Sequence, residues 1–216
     1  MGVPAPQPPM DPQTLAAFFA TALFLAVVPG PDNVFVLTQS ALRGKRAGLW
    51  VVLGLCSGLL VHTGAVALGV AALFERSRLA FDLLKYAGAA YLLYLAWQSL
   101  RAPAMTVASG EDERSGAGRL YLRGIVMNLT TPKVSIFFLA FLPQFVDKQA
   151  GSVTLQMLAL GATFILATAL VFGALALSAG AVGQRFARSA RAQRWMNRAA
   201  AAVFAGLAAK LAAAQR

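Results

Sequence analysis

The chain is poor in the side chains that carry chemistry in enzymes and metal sites. Its 216 residues include eight Asp and Glu, one His and one Cys. A single cysteine, Cys56, excludes an intramolecular disulfide and a dithiol relay, which argues against a thiol-redox protein. Charged residues make up 12% of the chain, whereas about a quarter of the residues in a soluble domain are charged. The composition is therefore not that of a soluble domain.

Long apolar runs account for most of the sequence, and 58% of its residues are hydrophobic. Six runs approach or exceed the roughly 20 residues that a membrane-spanning helix needs. They are Leu15–Leu42, Leu49–Leu73, Leu79–Leu100, Ile125–Phe145, Val153–Val182 and Trp195–Leu211. The first run lacks a basic start and a small-residue cleavage site, so we expect it to remain as a span rather than to be removed as a signal peptide. The sequence predicts an all-α integral membrane protein with six transmembrane helices.

Two of the six runs are interrupted by residues that end helices. The first contains Pro29–Asn33, with the sequence PGPDN, and the fourth contains Pro132. Proline removes a backbone amide donor and clashes with the preceding helical turn. Lipid cannot satisfy the backbone groups freed at such a break, so the break must be buried in protein or line a polar cavity. We expect the first and fourth spans to be broken at these prolines and to form a working site.

The polar and apolar segments predict a simple domain organisation. Residues 1–12, which include GVPAPQPP, are expected to be a disordered, proline-rich lead. Residues 13–212 are expected to form a single six-span domain. Within it, the polar stretch 101–122 is the expected cytoplasmic linker between one repeat, 13–100, and another, 123–212. Three spans in each half is an odd number, so equivalent halves must be inverted relative to each other.

Spacing and local similarity support the repeat. Pro31 lies 17 residues before a glycine at the entrance to the second span, and Pro132 lies 19 residues before one at the entrance to the fifth. LLKYAGAAYLLYL of the third span aligns with WMNRAAAAVFAGL of the sixth. In an inverted-repeat transporter, broken helices at equivalent positions meet near the bilayer midplane.

Basic residues are spread unequally between the two sides of the predicted membrane. The formal net charge is +11, and the loops after spans one, three and five carry twelve Lys and Arg against six on the other side. The positive-inside rule places the twelve in the cytoplasm and both termini in the periplasm. These residues form short clusters between apolar runs, which indicates contact with membrane lipid and not with nucleic acid. The six apolar runs and this charge bias predict a multi-pass membrane protein.

Two charged side chains are expected at the midplane, Asp32 in the first break and Lys133 in the second. A single charge at a helix centre costs about 3 kcal/mol on insertion scales, and charges of opposite sign can compensate each other. Half-helix ends add amides that suit a carboxylate and carbonyls that suit an ammonium group. Uncharged donors and acceptors would come from Asn33, Asn128, Thr130 and Thr131. A zwitterion fits such a cavity.

Simpler explanations stay open for these residues. Asp32 and Lys133 could form a permanent ion pair that holds the halves together, and the two asparagines could only satisfy carbonyls freed by the prolines. His62 could pass protons, or it could be a neutral imidazole bonded to a neighbouring helix. Gly54 and Gly58 indicate close helix packing more than a dimer motif. A homodimer is left open, and Tyr91, Tyr94 and Trp97 are taken as packing residues or interface anchors.

Three stretches resemble the LysE/RhtB family of amino-acid exporters. They are PGPDNVFVL at Pro29–Leu37, LKYAGAAYLLYL at Leu84–Leu95 and GIVMNLTTPKVSIFFLAFLPQF at Gly124–Phe145. The resemblance implies a small inner-membrane carrier that exports amino acids or derivatives by proton exchange, with no cofactor. The chain departs from the family pattern at Thr131, where an Asn is usual before Pro-Lys, and at Ala96, where a Gly is usual.

The family motifs fall on the residues that the helix breaks had already singled out. The resemblance implies that Lys133 holds the substrate carboxylate, that Asn33 and Asn128 orient it, and that Asp32 holds the ammonium group or carries the proton. Thr131 belongs to the same expected cavity. Hinges would be shaped by Pro29, Gly30, Pro31 and Pro132. The expected partners are a zwitterionic small molecule and protons.

Other functions compete with this one. Export of a metal cation would require several carboxylate, His or thiolate ligands, but only Asp32, His62 and Cys56 lie at depth, so no metal site is expected. A membrane enzyme would require a positioned nucleophile or acid–base pair, and the other acids lie in expected loops. Export of another small metabolite and a non-transport interaction role are the remaining alternatives. We expect no enzymatic activity.

Overall fold

The computed structural model describes residues 10–28, 30–76, 78–101, 116–147, 149–178 and 189–213. Several predictions of the sequence lie outside these residues. They concern most of the proline-rich lead, the hinge residue Pro29, most of the linker, and the end of the fifth span with the first part of the basic loop that follows it.

The described residues are helical, and no strand is found among them. The helices are α1 Pro12–Val27, α2 Pro31–Arg43, α3 Lys45–Arg76, α4 Arg78–Arg101, α5 Ala117–Thr130, α6 Pro132–Ile136, α7 Val153–Ser178 and α8 Ala190–Ala213. The helix α6 continues directly as a π-helical turn, Phe137–Phe141, and then a 3-10 turn, Leu142–Phe145. The all-α prediction is confirmed for this part of the chain.

The predicted breaks occur at the prolines. α1 and α2 meet at an angle of 62°, and α5 meets the continuous segment Pro132–Phe145 at 53°. In each pair the proline is the first residue of the second helix, where its missing amide would have had no helical partner and its fixed φ favours the helix. The prolines therefore begin new helices in new directions and do not merely kink continuous ones.

The number of clear spans is smaller than the six predicted. Lys45–Gly69 of α3 and Val153–Ser178 are long and apolar enough to cross a membrane alone, and the two bent pairs bring the described residues to as many as four spans. α4 and α8 are each 24 residues long, but each carries four charged side chains, which lowers its apolar character. The chain is a multi-pass helical membrane protein, and the six-span inverted repeat stays a prediction.

Several boundaries differ from those expected. Met10–Pro12 belong to the ordered structure, because Asp11 caps α1 by accepting bonds from the amides of Gln13 and Thr14 at 3.3 and 3.4 Å. α5 begins at Ala117, inside the stretch predicted as linker, because its first turns are amphipathic and escape a search for apolar runs. The acid Asp82, expected in a loop, lies in α4.

Glycines bring α3 and α5 into backbone contact. A Cβ atom on Gly54 would collide with the carbonyl of Tyr121, and one on Gly124 would collide with the carbonyl of Val51. A Cβ on Gly58 would lie 2.8 Å from the Cβ of Asn128. Small residues allow such close approach of membrane helices. The Gly54–Gly58 pair therefore packs within the chain, as the sequence predicts.

One end of the bundle is filled by phenylalanine rings. The aromatic cluster consists of Phe18, Phe137, Phe141, Phe145 and Phe164, with neighbouring ring centroids 5.0–6.5 Å apart. Four of its members are at most 4% exposed, and Phe145 is 7% exposed. Tilted and edge-on ring pairs at these distances add stabilisation beyond the burial of their surface. The cluster closes the space beyond Lys133, toward the end of the bundle that holds the loop 146–152.

Candidate functional site

The two helix breaks face each other, and Lys133 crosses between them. This residue lies in the first turn of α6, and its Nζ donates to the carbonyls of Leu25 and Val28 at 3.3 Å each. Those carbonyls belong to the C-terminal end of α1, where a helix carries partial negative charge. The ammonium group is therefore stabilised by backbone dipoles at depth in the bundle.

Asp32 occupies the equivalent place on α2 and receives a bond from the opposite break. It is 4% exposed, and its Oδ1 accepts a hydrogen bond of 3.1 Å from the hydroxyl of Thr131. The same hydroxyl lies 2.7 Å from the carbonyl of Met127. Because Asp32 lies in the first turn of α2, the helix amides also favour its negative charge. Thr131, between α5 and α6, thus links the two breaks.

Asp32 and Lys133 are near each other without being paired directly. Among the described residues no N···O contact within 4.0 Å joins them. Both line a small pocket of about 20 Å³, together with Asn128 and Thr168. A pocket of this size has room for about one water molecule. The geometry does not match a permanent direct ion pair, the simpler explanation left open by the sequence.

The two asparagines of the predicted site differ in their contacts. Asn33 donates from Nδ2 to the carbonyl of Ala26 at 2.9 Å, so it satisfies a carbonyl at the end of α1. The side chain of Asn128 packs against Gly58 of α3. Both side-chain oxygens are buried and have no hydrogen-bond partner in the described structure. A buried acceptor without a partner is costly, so each oxygen is suited to a ligand or a water molecule.

A much larger cavity lies on the other side of the breaks, with a volume of about 970 Å³. Its wall includes Gly30, Pro31, Thr130, Thr131, Pro132 and Lys133, all of which the sequence had singled out. Asp32, Asn33 and Asn128 are not part of that wall. Lys133 is the side chain common to the large cavity and the small pocket. The predicted single cavity is thus divided into two, with Thr131 and Lys133 between them.

Two helix faces that the sequence did not single out complete the wall. Their members recur at helical spacing, as expected for one face of each helix. They are Tyr91, Tyr94, Leu95, Gln98 and Ser99 on α4, and Arg119, Leu122, Arg123, Val126 and Met127 on α5. Polar and aromatic residues repeating at three and four positions along α4 were the available signal. This signal is ambiguous, because tyrosines at helical spacing also serve as packing residues and interface anchors.

The histidine of the chain lies close to the site without lining it. His62 Nε2 is 3.5 Å from the carbonyl of Asn128, and its ring lies 5.7 Å from that of Phe138. This arrangement matches an imidazole bonded to a neighbouring helix. Among the described residues, no three His, Cys, Asp or Glu side chains form a group that could hold a metal ion. The breaks thus bring an ammonium group and a carboxylate close to each other.

Broken helices, opposite charges at the breaks and a cavity beside them are typical of membrane carriers. The pattern of the LysE type translocator family matches residues 23–215. The chain belongs to this family.

Relatives are similar over nearly their full length. One is the homoserine/homoserine lactone efflux protein of Salmonella typhimurium, 34% identical over 199 residues, which cover 92% of this chain and 96% of the relative. The protein of the same name from Salmonella typhi is 33% identical, with the same coverage. A membrane protein of Vibrio cholerae is 34% identical over 207 residues, covering 95% of this chain and all of the relative. No solved structure matches the chain.

Proposed function

We propose that this protein exports amino acids or their derivatives across the bacterial inner membrane in exchange for protons. The observation that carries the proposal is the position of Lys133, whose ammonium group lies between the two helix breaks and lines the large cavity. Membership in a family of translocators and similarity to homoserine/homoserine lactone efflux proteins support the substrate class.

The residues at the breaks have complementary roles in this proposal. Lys133 binds the substrate carboxylate, since an ammonium group has three donors and carbonyls occupy two of them. Asp32 carries the exchanged proton; its position behind Thr131, away from the wall of the large cavity, favours this role over contact with a substrate ammonium group. Asn33 and Asn128 help to orient the bound carboxylate through water molecules, from which their unpartnered oxygens accept hydrogen bonds.

Export follows from alternating exposure of the site to the two sides. The large cavity lies beside the basic end of α5, which the positive-inside rule assigns to the cytoplasm, and the aromatic cluster closes the opposite end. Pro29, Gly30, Pro31 and Pro132 act as hinges. The helix contacts support the inverted repeat, in which α1 corresponds to α5 and α3 to α7. The contact between α3 and α5 then has its counterpart in the contact between α7 and α1.

The proton gradient supplies enough energy for this exchange. One proton that enters down a membrane potential of 100 mV releases about 2.3 kcal/mol. About 1.4 kcal/mol corresponds to a tenfold ratio, so this energy supports a ratio of roughly tens-fold between the substrate concentrations on the two sides.

The test is uptake of labelled substrate into proteoliposomes with an acidic lumen, in which protons leaving the lumen drive uptake. We expect accumulation of homoserine, threonine or leucine, or of a derivative of such an amino acid, that collapses when an ionophore removes the gradient. Lys133→Met should abolish it. Accumulation of lysine or arginine alone, or of none of these compounds and derivatives, would contradict the proposal.

A further inference from the structure

The large cavity is oversized for a free amino acid. Its volume of about 970 Å³ lies at the upper end of the range of pockets that enclose drug-sized ligands, about 300–1,000 Å³. Its middle is lined by apolar and aromatic side chains, among them Phe35, Tyr91, Tyr94, Val126 and Phe204. A small amino acid held at Lys133 would leave most of this apolar surface uncovered.

The charged side chains among the described residues of the cavity wall have one sign. Lys133 lies at its inner end, and Arg119 and Arg123 are one turn apart on α5. No Asp or Glu is found among the described residues of the wall. The carboxylate of Asp32 lies behind Thr131, whose hydroxyl donates to it. Within the described wall, a ligand therefore meets Lys133 for its carboxylate and no anion for an ammonium group, which the ammonium group of Lys133 would repel.

The aromatic wall offers a place for an apolar substituent. The rings of Tyr91 and Tyr94 lie 5.8 Å apart on the face of α4 that lines the cavity. Trp97 continues this row with its ring 6.0 Å from that of Tyr94, but it does not line the cavity. Tyrosine rings provide a large contact surface together with a polar hydroxyl, which suits an amphipathic ligand.

We infer that the substrate is an amino acid whose amino group is acylated, bound with its carboxylate on Lys133 and its acyl group against Tyr91 and Tyr94. Acylation removes the ammonium charge, for which the described wall offers no carboxylate, and adds apolar surface that the wall can cover. This inference rests on the proposed export function, and it replaces the zwitterion expected from the sequence. An anionic lipid also combines a negative charge with an apolar part. The test therefore distinguishes an acylated amino acid from a lipid.

The experiment measures binding to the purified protein in nanodiscs of zwitterionic lipid by calorimetry. The ligands are leucine, N-acetyl-leucine, N-benzoyl-leucine and N-benzoyl-leucinamide, which lacks the carboxylate. We expect N-benzoyl-leucine to bind at least tenfold more tightly than leucine, with N-acetyl-leucine between them, and the amide to bind at least tenfold more weakly than N-benzoyl-leucine. Equal or tighter binding of leucine would overturn the inference.

Two variants of neighbouring aromatic residues locate the acyl group. Tyr94→Ala should weaken binding of N-benzoyl-leucine about tenfold and leave N-acetyl-leucine within twofold. Trp97→Ala is the matched control, because Trp97 is 50% exposed and Tyr94 is 47% exposed, but only Tyr94 lines the cavity. An equal effect of both variants would contradict the placement.

Two further measurements distinguish a substrate from a lipid and this inference from the export proposal. If anionic phosphatidylglycerol in the nanodiscs competes with N-benzoyl-leucine, the cavity is a lipid site and the inference fails. In proteoliposomes with an acidic lumen, accumulation of leucine but not of the acylated compounds overturns the inference and leaves export intact. Accumulation of the acylated compounds supports both, and accumulation of neither contradicts both.

Discussion

Backbone dipoles hold Lys133, and no carboxylate of the described residues pairs with it directly. Its two carbonyl acceptors, on Leu25 and Val28, carry only partial charges, so the ammonium group keeps a capacity for a full negative charge. A bound carboxylate would supply that charge and would form a charge-assisted hydrogen bond, which is stronger than a neutral one. If a carboxylate of the protein were permanently paired with this cation, a bound ligand would gain much less from the interaction.

Gly30 controls the space beside this cation. A Cβ atom at this position would lie 3.6 Å from Nζ of Lys133 and 3.7 Å from the side-chain oxygen of Asn33, which is ordinary van der Waals contact. Gly30→Ala should therefore fold normally but cover part of the ammonium group, and we expect KM for export to rise about threefold to tenfold, roughly 0.7–1.4 kcal/mol of binding. The measurement is concentration-dependent uptake into proteoliposomes.

Gly64→Ala in α3 serves as the control for Gly30→Ala. A Cβ at Gly64 has no neighbour within 4 Å in the described structure, so its KM should remain that of the wild type. An unchanged KM for Gly30→Ala, or an equal change in both variants, would show that the ammonium group is not approached from this side.

Part of the site could be predicted from single residues. Asp32 and Lys133 stand out because charges inside apolar runs are rare and costly. The bond from Asn33 to Ala26 also follows the expectation that a polar side chain replaces lost backbone partners. The sequence does not predict that Arg119 and Arg123 line the cavity, because basic residues near the start of α5 are also expected from the positive-inside rule. Thr131 separates Asp32 from the large cavity, and that division depends on rotamers that no pattern encodes.

At the scale of helices, the contact between α3 and α5 determines how the two halves meet. A Cβ atom on Gly124 would lie 3.0 Å from the Cα of Gly54 and 3.1 Å from the amide nitrogen of Leu55. Gly124→Ala must therefore push the helices apart. Such overpacking costs about 1–3 kcal/mol. Thermal unfolding of the purified protein in detergent should show a Tm lowered by several degrees.

Gly118→Ala is the matched control on the same helix. No atom in the described structure lies within 4 Å of a Cβ placed there, and alanine is favoured over glycine in a helix by up to about 1 kcal/mol. Its Tm should be unchanged or raised. If Gly124→Ala is as stable as Gly118→Ala, then α3 and α5 do not make this backbone contact in the membrane.

The sequence predicts helices and breaks better than it predicts their ends. Pro31 and Pro132 begin helices as expected, because proline acts locally on the chain. The π-helical turn at Phe137–Phe141 has no local signal, since it arises where several rings pack into one cluster. The early start of α5 was missed because charged residues such as Arg119 share its first turns. Packing across the bundle decided these features.

At the scale of the whole molecule, an open cavity and an aromatic cluster lie at opposite ends of the bundle. In the orientation predicted by the positive-inside rule, the cavity end faces the cytoplasm. Arg46, in the first turn of α3, and Gln149, in the loop after Phe145, are both exposed and can test this orientation. In a Cys56→Ser background, we expect an impermeant thiol reagent to label Gln149→Cys in whole cells and to label Arg46→Cys only after the membrane is opened. The reverse pattern would contradict the orientation.

The most direct test of the account compares two assays on the same proteoliposomes. Counterflow exchanges substrate for substrate without net proton movement, whereas accumulation against a pH gradient requires coupling. If Asp32 carries the proton, Asp32→Asn should retain counterflow and lose accumulation, while Asp147→Asn, an exposed loop variant, should retain both. Accumulation by Asp32→Asn would contradict the role of Asp32 in proton coupling. Recovery of accumulation in the double variant Asp32→Asn with Lys133→Met would also contradict that role and would favour a structural pair.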